Sequence, residues 1–150
     1  MKFKNVLTLV VAGWLASSAY AADVGDFTTW TRNGSATLDA STTVLQLTTL
    51  GDGSLPYGAA GSAWAPTKVS FARDFSLSFN FTIDEGSGAD GFALVFQRSA
   101  AGAAALGGAG GNLGYSGIDN SFGFVFDTWD NGLGFSLSDS AGHNVGWVEG

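Results

Sequence analysis

The chain contains no cysteine, one histidine and two prolines in 150 residues. The absence of cysteine excludes disulfides, thiolate nucleophiles and cysteine-based zinc or iron–sulfur sites. Charged residues make up only 13% of the chain, and its six basic residues leave a net charge of −7. Six basic residues are too few to form a patch that neutralises successive phosphates of a nucleic acid. The composition therefore excludes nucleic-acid binding.

The composition nevertheless favours a folded protein. Hydrophobic residues make up 45% of the chain, aromatic residues 13%, and there are 23 glycines. This apolar content can form a core and disfavours intrinsic disorder. The length fits one compact domain, and the glycines indicate many tight turns between strands.

The first 21 residues have the three parts of a secretory signal peptide. Lys2 and Lys4 precede an apolar stretch from Val6 to Leu15, and the small-x-small sequence Ala19-Tyr20-Ala21 follows. A membrane anchor is the alternative, but the stretch is shorter than the roughly 20 residues that a spanning helix needs. We expect cleavage after Ala21, which raises the net negative charge to −9 because two lysines are lost. Residues 22–150 then form one secreted, periplasmic or cell-surface domain with no visible membrane span.

The apolar residues of this domain recur mostly with a period of two. Residues 43–48, 75–83 and 122–126 show this alternation, and in 75–83 the aromatic and aliphatic side chains all share one face. That pattern predicts antiparallel strands with one buried side. The uninterrupted run Phe92–Phe96 predicts a more deeply buried strand. Gly- and Asp-rich turns between the runs, at 51–54, 84–88, 130–132 and 138–142, favour a β-sandwich.

Two glycine-rich segments need separate interpretation. Residues 86–91 match the dinucleotide-binding pattern G-x-G-x-x-G, but a strand-like run follows where that motif requires a helix, so we set the match aside. Residues 99–117 have the composition of a flexible linker. Because they join two core strands within one small domain, we predict a long surface loop whose glycines let main-chain N–H groups approach a ligand.

Four motifs in order resemble the legume-type (L-type) lectin domain, and most closely its bacterial secreted branch. They are residues 75–83, Gly88–Val95, Gly110–Tyr115 and Phe126–Asn131. Residues 61–69 are similar to the strand that enters the core of that domain, so the resemblance covers roughly residues 24 to 148. It implies an all-β, antiparallel jelly-roll sandwich with a shallow sugar site supported by calcium and a transition metal.

The resemblance also implies roles for individual residues. Asp90 matches the sugar-binding aspartate, which in that family follows a cis peptide bond, here Ala89–Asp90. Gly110 or Gly111 matches the loop whose main-chain N–H meets a sugar hydroxyl. Trp129 matches the aromatic residue that stacks on the sugar, and Asn131 would bind both sugar and calcium.

The metal ligands implied by the resemblance are only partly present. The calcium set is complete and consists of oxygen donors, as Ca²⁺ prefers: Asp127, the main-chain oxygen of Trp129, Asn131 and Asp139. The transition-metal (Mn²⁺-like) set matches poorly, because Val125 stands where the family has a glutamate. His143 remains as its imidazole ligand.

Three functions compete at this point. The first is a secreted, non-catalytic, calcium-dependent lectin whose partners are glycans or glycoconjugates. The second is a structural or adhesion sandwich that does not bind sugar, which Val125 favours. The third is a glycoside hydrolase, which needs two carboxylates around the scissile bond; Glu85 and Glu149 are the only glutamates, and no E-x-D sequence is present.

The family's domain is considerably longer than this chain. We therefore expect the sandwich to be incomplete at its C-terminus. Either the sequence is a fragment of a longer chain, or a shortened sandwich leaves unpaired strand edges, and such edges favour association into oligomers.

Overall fold

The computed structural model describes residues 6–9, 26–39, 41, 43–48, 58–72, 74–83, 90–129, 132–138 and 144–149. The strands are β1 Val6–Leu9, β2 Thr31–Gly34, β3 Thr37–Asp39, β4 Val44–Gln46, β5 Gly61–Trp64, β6 Leu77–Asn80, β7 Gly91–Gln97, β8 Ser121–Asp127, β9 Gly132–Ser138 and β10 Asn144–Glu149. Short 3₁₀ helices span Phe27–Thr29, Gly102–Ala104 and Gly110–Asn112. These ranges contain no α-helix, which confirms the predicted all-β class.

All the strand pairs are antiparallel. The largest sheet has four strands in the order β10-β9-β8-β7, and three two-stranded pairs join β2 with β5, β3 with β4, and β1 with β6. The β9–β10 pairing contains an irregularity between Asn144 and Gly146. Among the described residues, no helix has both the length and the apolar character needed to cross a membrane.

The predicted strands are present, although two are shorter than expected: the run 43–48 forms a strand only at Val44–Gln46, and the run 75–83 is the other. The run 122–126 lies within β8, and Phe92–Phe96 lies within β7. The run 75–83 forms a strand only at Leu77–Asn80, where half-buried and exposed residues alternate as the period of two predicts. Most residues of the four predicted turns lie outside the described ranges.

Strand β1 belongs to the predicted signal peptide. In the full chain it pairs with β6, in a register that runs from Val6 opposite Asn80 to Leu9 opposite Leu77. The predicted cleavage after Ala21 would remove this strand and leave that edge of β6 without its partner.

One face of the β7–β8 pair is covered by phenylalanines. Phe92 stacks on its cross-strand partner Phe126 at 4.5 Å, and Phe96 stacks on Phe122 at 5.1 Å between ring centroids. Further rings from the segment around β6 make edge-to-face or tilted contacts with these pairs: Phe71, Phe75, Phe79 and Phe81. Such cross-strand aromatic pairs contribute roughly 0.2–1 kcal/mol each beyond alanine pairs.

The opposite face of β7–β8 is covered by the loop that joins the two strands. Ala105, Tyr115 and Ile118 from this loop form a buried cluster with Val125 of β8. A Cβ at Gly123 would lie 3.5 Å from the Tyr115 ring, so a larger residue there would displace the ring. Ala105 and Tyr115, two of the four residues in this cluster, belong to the segment 99–117 that was predicted to be a surface loop. Small residues let its backbone approach the sheet closely.

The two ends of this loop are joined where it leaves β7 and enters β8. Arg98 N donates to Asn120 O at 2.9 Å, and the Ser99 hydroxyl donates to the Asp119 carboxylate. The Ser99 bond holds the pKa of Asp119 below its usual range. Because that pKa is lowered, the contribution of this contact to stability is present above the pKa of the unfolded state and is lost as the pH falls through the folded value.

A matched pair of valine substitutions tests this core. Val125 is 3% exposed and Val44 is 50% exposed. Val125→Ala should lower the free energy of unfolding by about 2 kcal/mol, because it removes two buried methyl groups and leaves a cavity. Val44→Ala should change it by less than about 0.5 kcal/mol. Urea unfolding measures both, and equal losses would show that the loop does not cover β8.

Candidate functional site

The register of β7 and β8 brings Asp90 to the turn that follows β8. The pairing begins with Gly91 opposite Asp127. One residue beyond it, Thr128 N donates to Asp90 O at 2.9 Å. Asp90 and the turn formed by Asp127, Thr128 and Trp129 therefore lie together at one end of the sheet.

Gly91 makes this close approach possible. Its φ is +135°, and a Cβ at this position would lie 2.0 Å from Phe126 O. Only glycine can be accommodated there. Gly91 therefore belongs to the site as a backbone position, although it was not among the predicted site residues. The only sequence signal was the glycine that directly follows Asp90.

The long loop returns to the same end of the sheet and places Gly110 beside Asp90. A Cβ on Gly110 would lie 3.6 Å from Asp90 Oδ2, and Gly110 has a φ of +63°. No Cβ contact lies within 4 Å at Gly111, so that side of the loop is open. Of the two predicted glycines, Gly110 is thus the one whose missing side chain leaves space next to the Asp90 carboxylate.

Two kinds of polar group in this region, the Asp90 carboxylate and two loop N–H groups, make no hydrogen bond to another described residue. Asp90 is half-buried, and no other residue in the described part of the chain donates a hydrogen bond to its carboxylate. Within the same part of the chain, the main-chain N–H groups of Gly110 and Gly111 donate to no protein acceptor. Carboxylate acceptors next to N–H donors complement a hydroxyl group, which both donates and accepts. Charge-assisted bonds to such a carboxylate are roughly twice as strong as neutral ones.

Trp129 adds an exposed ring to this end of the sheet. Its side chain is 70% exposed. Its main-chain N–H donates to Asp127 Oδ1 at 2.9 Å, which closes a short Asx turn after β8. The turn fixes the backbone that carries the indole, and the exposed ring offers an apolar surface at the same end of the sheet as Asp90.

Only part of the implied metal set can be located. Asp127 is half-buried at the end of β8, whereas Asn131, Asp139 and His143 lie outside the described residues. Ala89, the first residue of the implied cis peptide bond, also lies outside them. Within the described ranges, no three His, Cys, Asp or Glu side chains are grouped so that they could hold a metal ion. Asp127 and the carbonyl of Trp129 are oxygen donors of the type that Ca²⁺ prefers, so this part of the set fits calcium.

Position 125 does not fit a transition metal. Val125 is 3% exposed and packs in the cluster that contains Ala105, Tyr115 and Ile118. It carries no donor atom, and its surroundings are apolar. A carboxylate at this position would need a partner to offset its desolvation.

No protein-family model matches the chain, and no solved structure matches it.

The two loop glycines give a direct test of this geometry. Gly110→Ala should lower the free energy of unfolding by about 1–2 kcal/mol, because its left-handed backbone conformation is strained for a residue with a Cβ. Gly111→Ala should change stability by less than about 0.5 kcal/mol, since it has open space and no positive φ. Denaturant unfolding of the two variants measures the difference, and similar values for both would contradict the described loop conformation.

Proposed function

We propose that the protein is a secreted, non-catalytic carbohydrate-binding domain of the legume-lectin type, which binds glycans or glycoconjugates with the help of calcium. One observation carries the proposal: at the end of β7 and β8, the Asp90 carboxylate lies beside Gly110, and the main chain of Asp90 is hydrogen-bonded to the Asp127–Trp129 turn. The half-buried carboxylate, the available N–H groups and the exposed indole have the chemistry that a sugar ring requires.

Each group has a distinct role in this proposal. The two oxygens of Asp90 accept hydrogen bonds from neighbouring sugar hydroxyls. The N–H of Gly110 or Gly111 donates to a hydroxyl oxygen, and glycine leaves room for the sugar to approach. Trp129 covers the C–H face of the pyranose, which is apolar. Asn131 adds an amide to the sugar and an oxygen to calcium.

Calcium is proposed to hold the loops that carry these groups. Asp127, the carbonyl of Trp129, Asn131 and Asp139 are its proposed ligands, and all of them offer oxygen. A transition metal is not proposed to bind in the same way, because Val125 replaces a ligand and lies in the core. The ion supplies charge and rigidity to the loops and takes part in no reaction.

The proposed architecture is a jelly-roll sandwich of residues 22–150, exported with the aid of the leader 1–21. The support for a sandwich is that β7 and β8 have apolar residues on both faces, as strands between two layers do. A shallow site of this kind should bind a monosaccharide weakly, at roughly −4 to −5 kcal/mol, or about millimolar. Useful avidity then requires several sites, through oligomerisation or a multivalent glycan.

A structural or adhesion domain without sugar binding is the second candidate. The burial of Val125 favours it, since this position provides no metal ligand. The two candidates differ in whether Asp90 contributes to binding a glycan.

Calcium should raise the melting temperature of the protein. An ion that binds only the native state stabilises it by mass action, by about 2.7 kcal/mol at a hundredfold excess over its dissociation constant. Asp127→Ala should abolish this calcium-dependent shift, and Asp119→Ala, which alters a carboxylate at the far end of the loop, should preserve it. Thermal scans with calcium and with chelator measure both variants. A full calcium shift in Asp127→Ala would show that the proposed ligand set is wrong.

Substitution of Asp90 should remove sugar binding without unfolding the protein. Asp90→Ala deletes the proposed charge-assisted acceptor, and among the described residues its carboxylate has no hydrogen-bond donor to lose. We expect binding to a glycan array in calcium to fall to background, with a change in unfolding free energy below about 1 kcal/mol. Asp74→Ala, which removes an exposed carboxylate, is the control and should bind like the wild type.

Trp129→Ala should weaken binding partially, by about 1–2 kcal/mol, which is the contribution of one aromatic contact. If the folded, calcium-loaded wild type binds no glycan, or Asp90→Ala binds as well as the wild type, the structural candidate replaces the lectin.

A further inference from the structure

The loop that carries Gly110 is attached to β5 through one main-chain carbonyl. Ala105 O accepts hydrogen bonds from Ser62 Oγ and from Trp64 Nε1, each at 2.7 Å. Ser62 is 8% exposed and Ala105 is 3% exposed, so this contact is shielded from water. A carbonyl oxygen has two lone pairs, and the two donors of β5 satisfy both.

Asn33 of β2 extends this attachment. It lies opposite Ser62 in the β2–β5 pairing. Its side-chain amide donates to Ser62 Oγ at 3.0 Å and to Ala103 O at 2.9 Å. Two carbonyls of the loop are therefore bound to the β2–β5 pair. We call Asn33, Ser62 and Trp64 the loop clamp.

The backbone between Ala105 and Gly110 is hydrogen-bonded to the returning part of the same loop. Gly107 N donates to Gly114 O at 2.9 Å, and Gly114 N donates to Gly108 O at 2.8 Å. A Cβ at Gly107 would lie 2.5 Å from the backbone of Tyr115, so the two limbs of the loop are in direct contact. Leu113 N also donates to Gly110 O at 2.8 Å, so a continuous series of main-chain hydrogen bonds connects the segment after Ala105 with Gly110.

We infer that Ser62 and Trp64 are positioning residues that set the Gly110 main chain against the Asp90 carboxylate and thereby set the affinity for sugar. The inference rests on the proposed function, and it assigns control of the site to β5, whose Ser62 and Trp64 precede Ala105 by 43 and 41 residues. The clamp residues need not touch the sugar. They act because a main-chain donor binds a hydroxyl well only when its N–H lies at hydrogen-bond distance and in line.

Two conservative variants remove the clamp donors one at a time. Ser62→Ala removes the hydroxyl, and Trp64→Phe removes the indole N–H while keeping an aromatic ring. Ser62→Thr keeps a hydroxyl and serves as the rescue. The matched control is Ser121→Ala: Ser121 is 4% exposed and donates to the Ile118 carbonyl at 2.6 Å, at the opposite end of β8 from Asp90.

Two measurements separate positioning from general stability. The first is the dissociation constant for methyl mannoside and methyl galactoside in calcium, at a temperature where every variant is fully folded. The second is the amide chemical shift and hydrogen exchange of Gly110 without sugar. We expect each clamp variant to lose about three- to tenfold in affinity, the effect of one hydrogen bond, and to shift the Gly110 amide. Ser121→Ala should lose comparable thermal stability while its affinity stays within about twofold, and Ser62→Thr should restore both readouts.

The Gly110 amide distinguishes failure of this inference from failure of the proposed function. An unchanged Gly110 amide in Ser62→Ala and Trp64→Phe overturns the positioning role, whether or not any form binds sugar. Unchanged affinity in both clamp variants also overturns it. If the amide shifts but the wild type binds neither sugar nor any arrayed glycan, the lectin proposal fails while the control of the Asp90–Gly110 geometry by β5 stands.

Discussion

The antiparallel pairing of β7 with β8 is the constraint on which the rest of the described structure depends. Seven residue pairs run from Gly91 opposite Asp127 to Gln97 opposite Ser121. A slip of one residue would reverse the faces of one strand and move its phenylalanines from the aromatic face towards the loop. The same register places Asp90 next to the turn after β8. Core packing and site geometry are therefore set by one hydrogen-bonded ladder.

The two faces of this ladder are covered in different ways. Large phenylalanine rings fill one face, and cross-strand stacking holds them. The other face is covered by backbone and small side chains of the loop, with Tyr115 as its largest buried residue. Because Gly110 belongs to this same loop, the segment that completes the core also carries the proposed ligand contact. Under the proposed function, core packing and ligand binding therefore depend on the same segment.

Part of the fold could be predicted from local pattern. The alternation in β6 and the continuous apolar run in β7 show which side chains face the core, and this can be seen from a few neighbouring residues. The ends of β6 could not be predicted, because Phe75 and Ile83 continue the alternation while the strand covers only Leu77–Asn80. Burial of the loop was also missed. Its composition, rich in alanine and glycine, is that of a linker. The loop is buried only because it packs against the β7–β8 sheet.

Within the candidate site, the residue types could be proposed from sequence because aspartate, glycine and tryptophan each bring a chemistry that does not depend on the fold. Their arrangement was decided by tertiary structure. The contact of Gly110 with Asp90 requires the loop to fold back across the sheet, and the bonds from Ser62 and Trp64 to Ala105 join segments 43 and 41 residues apart. The sequence by itself determined an all-β chain with one apolar side on its alternating strands, since that pattern is local. Only the tertiary structure decided which polar groups meet at the end of β7 and β8, because strand register and loop return depend on contacts between distant segments.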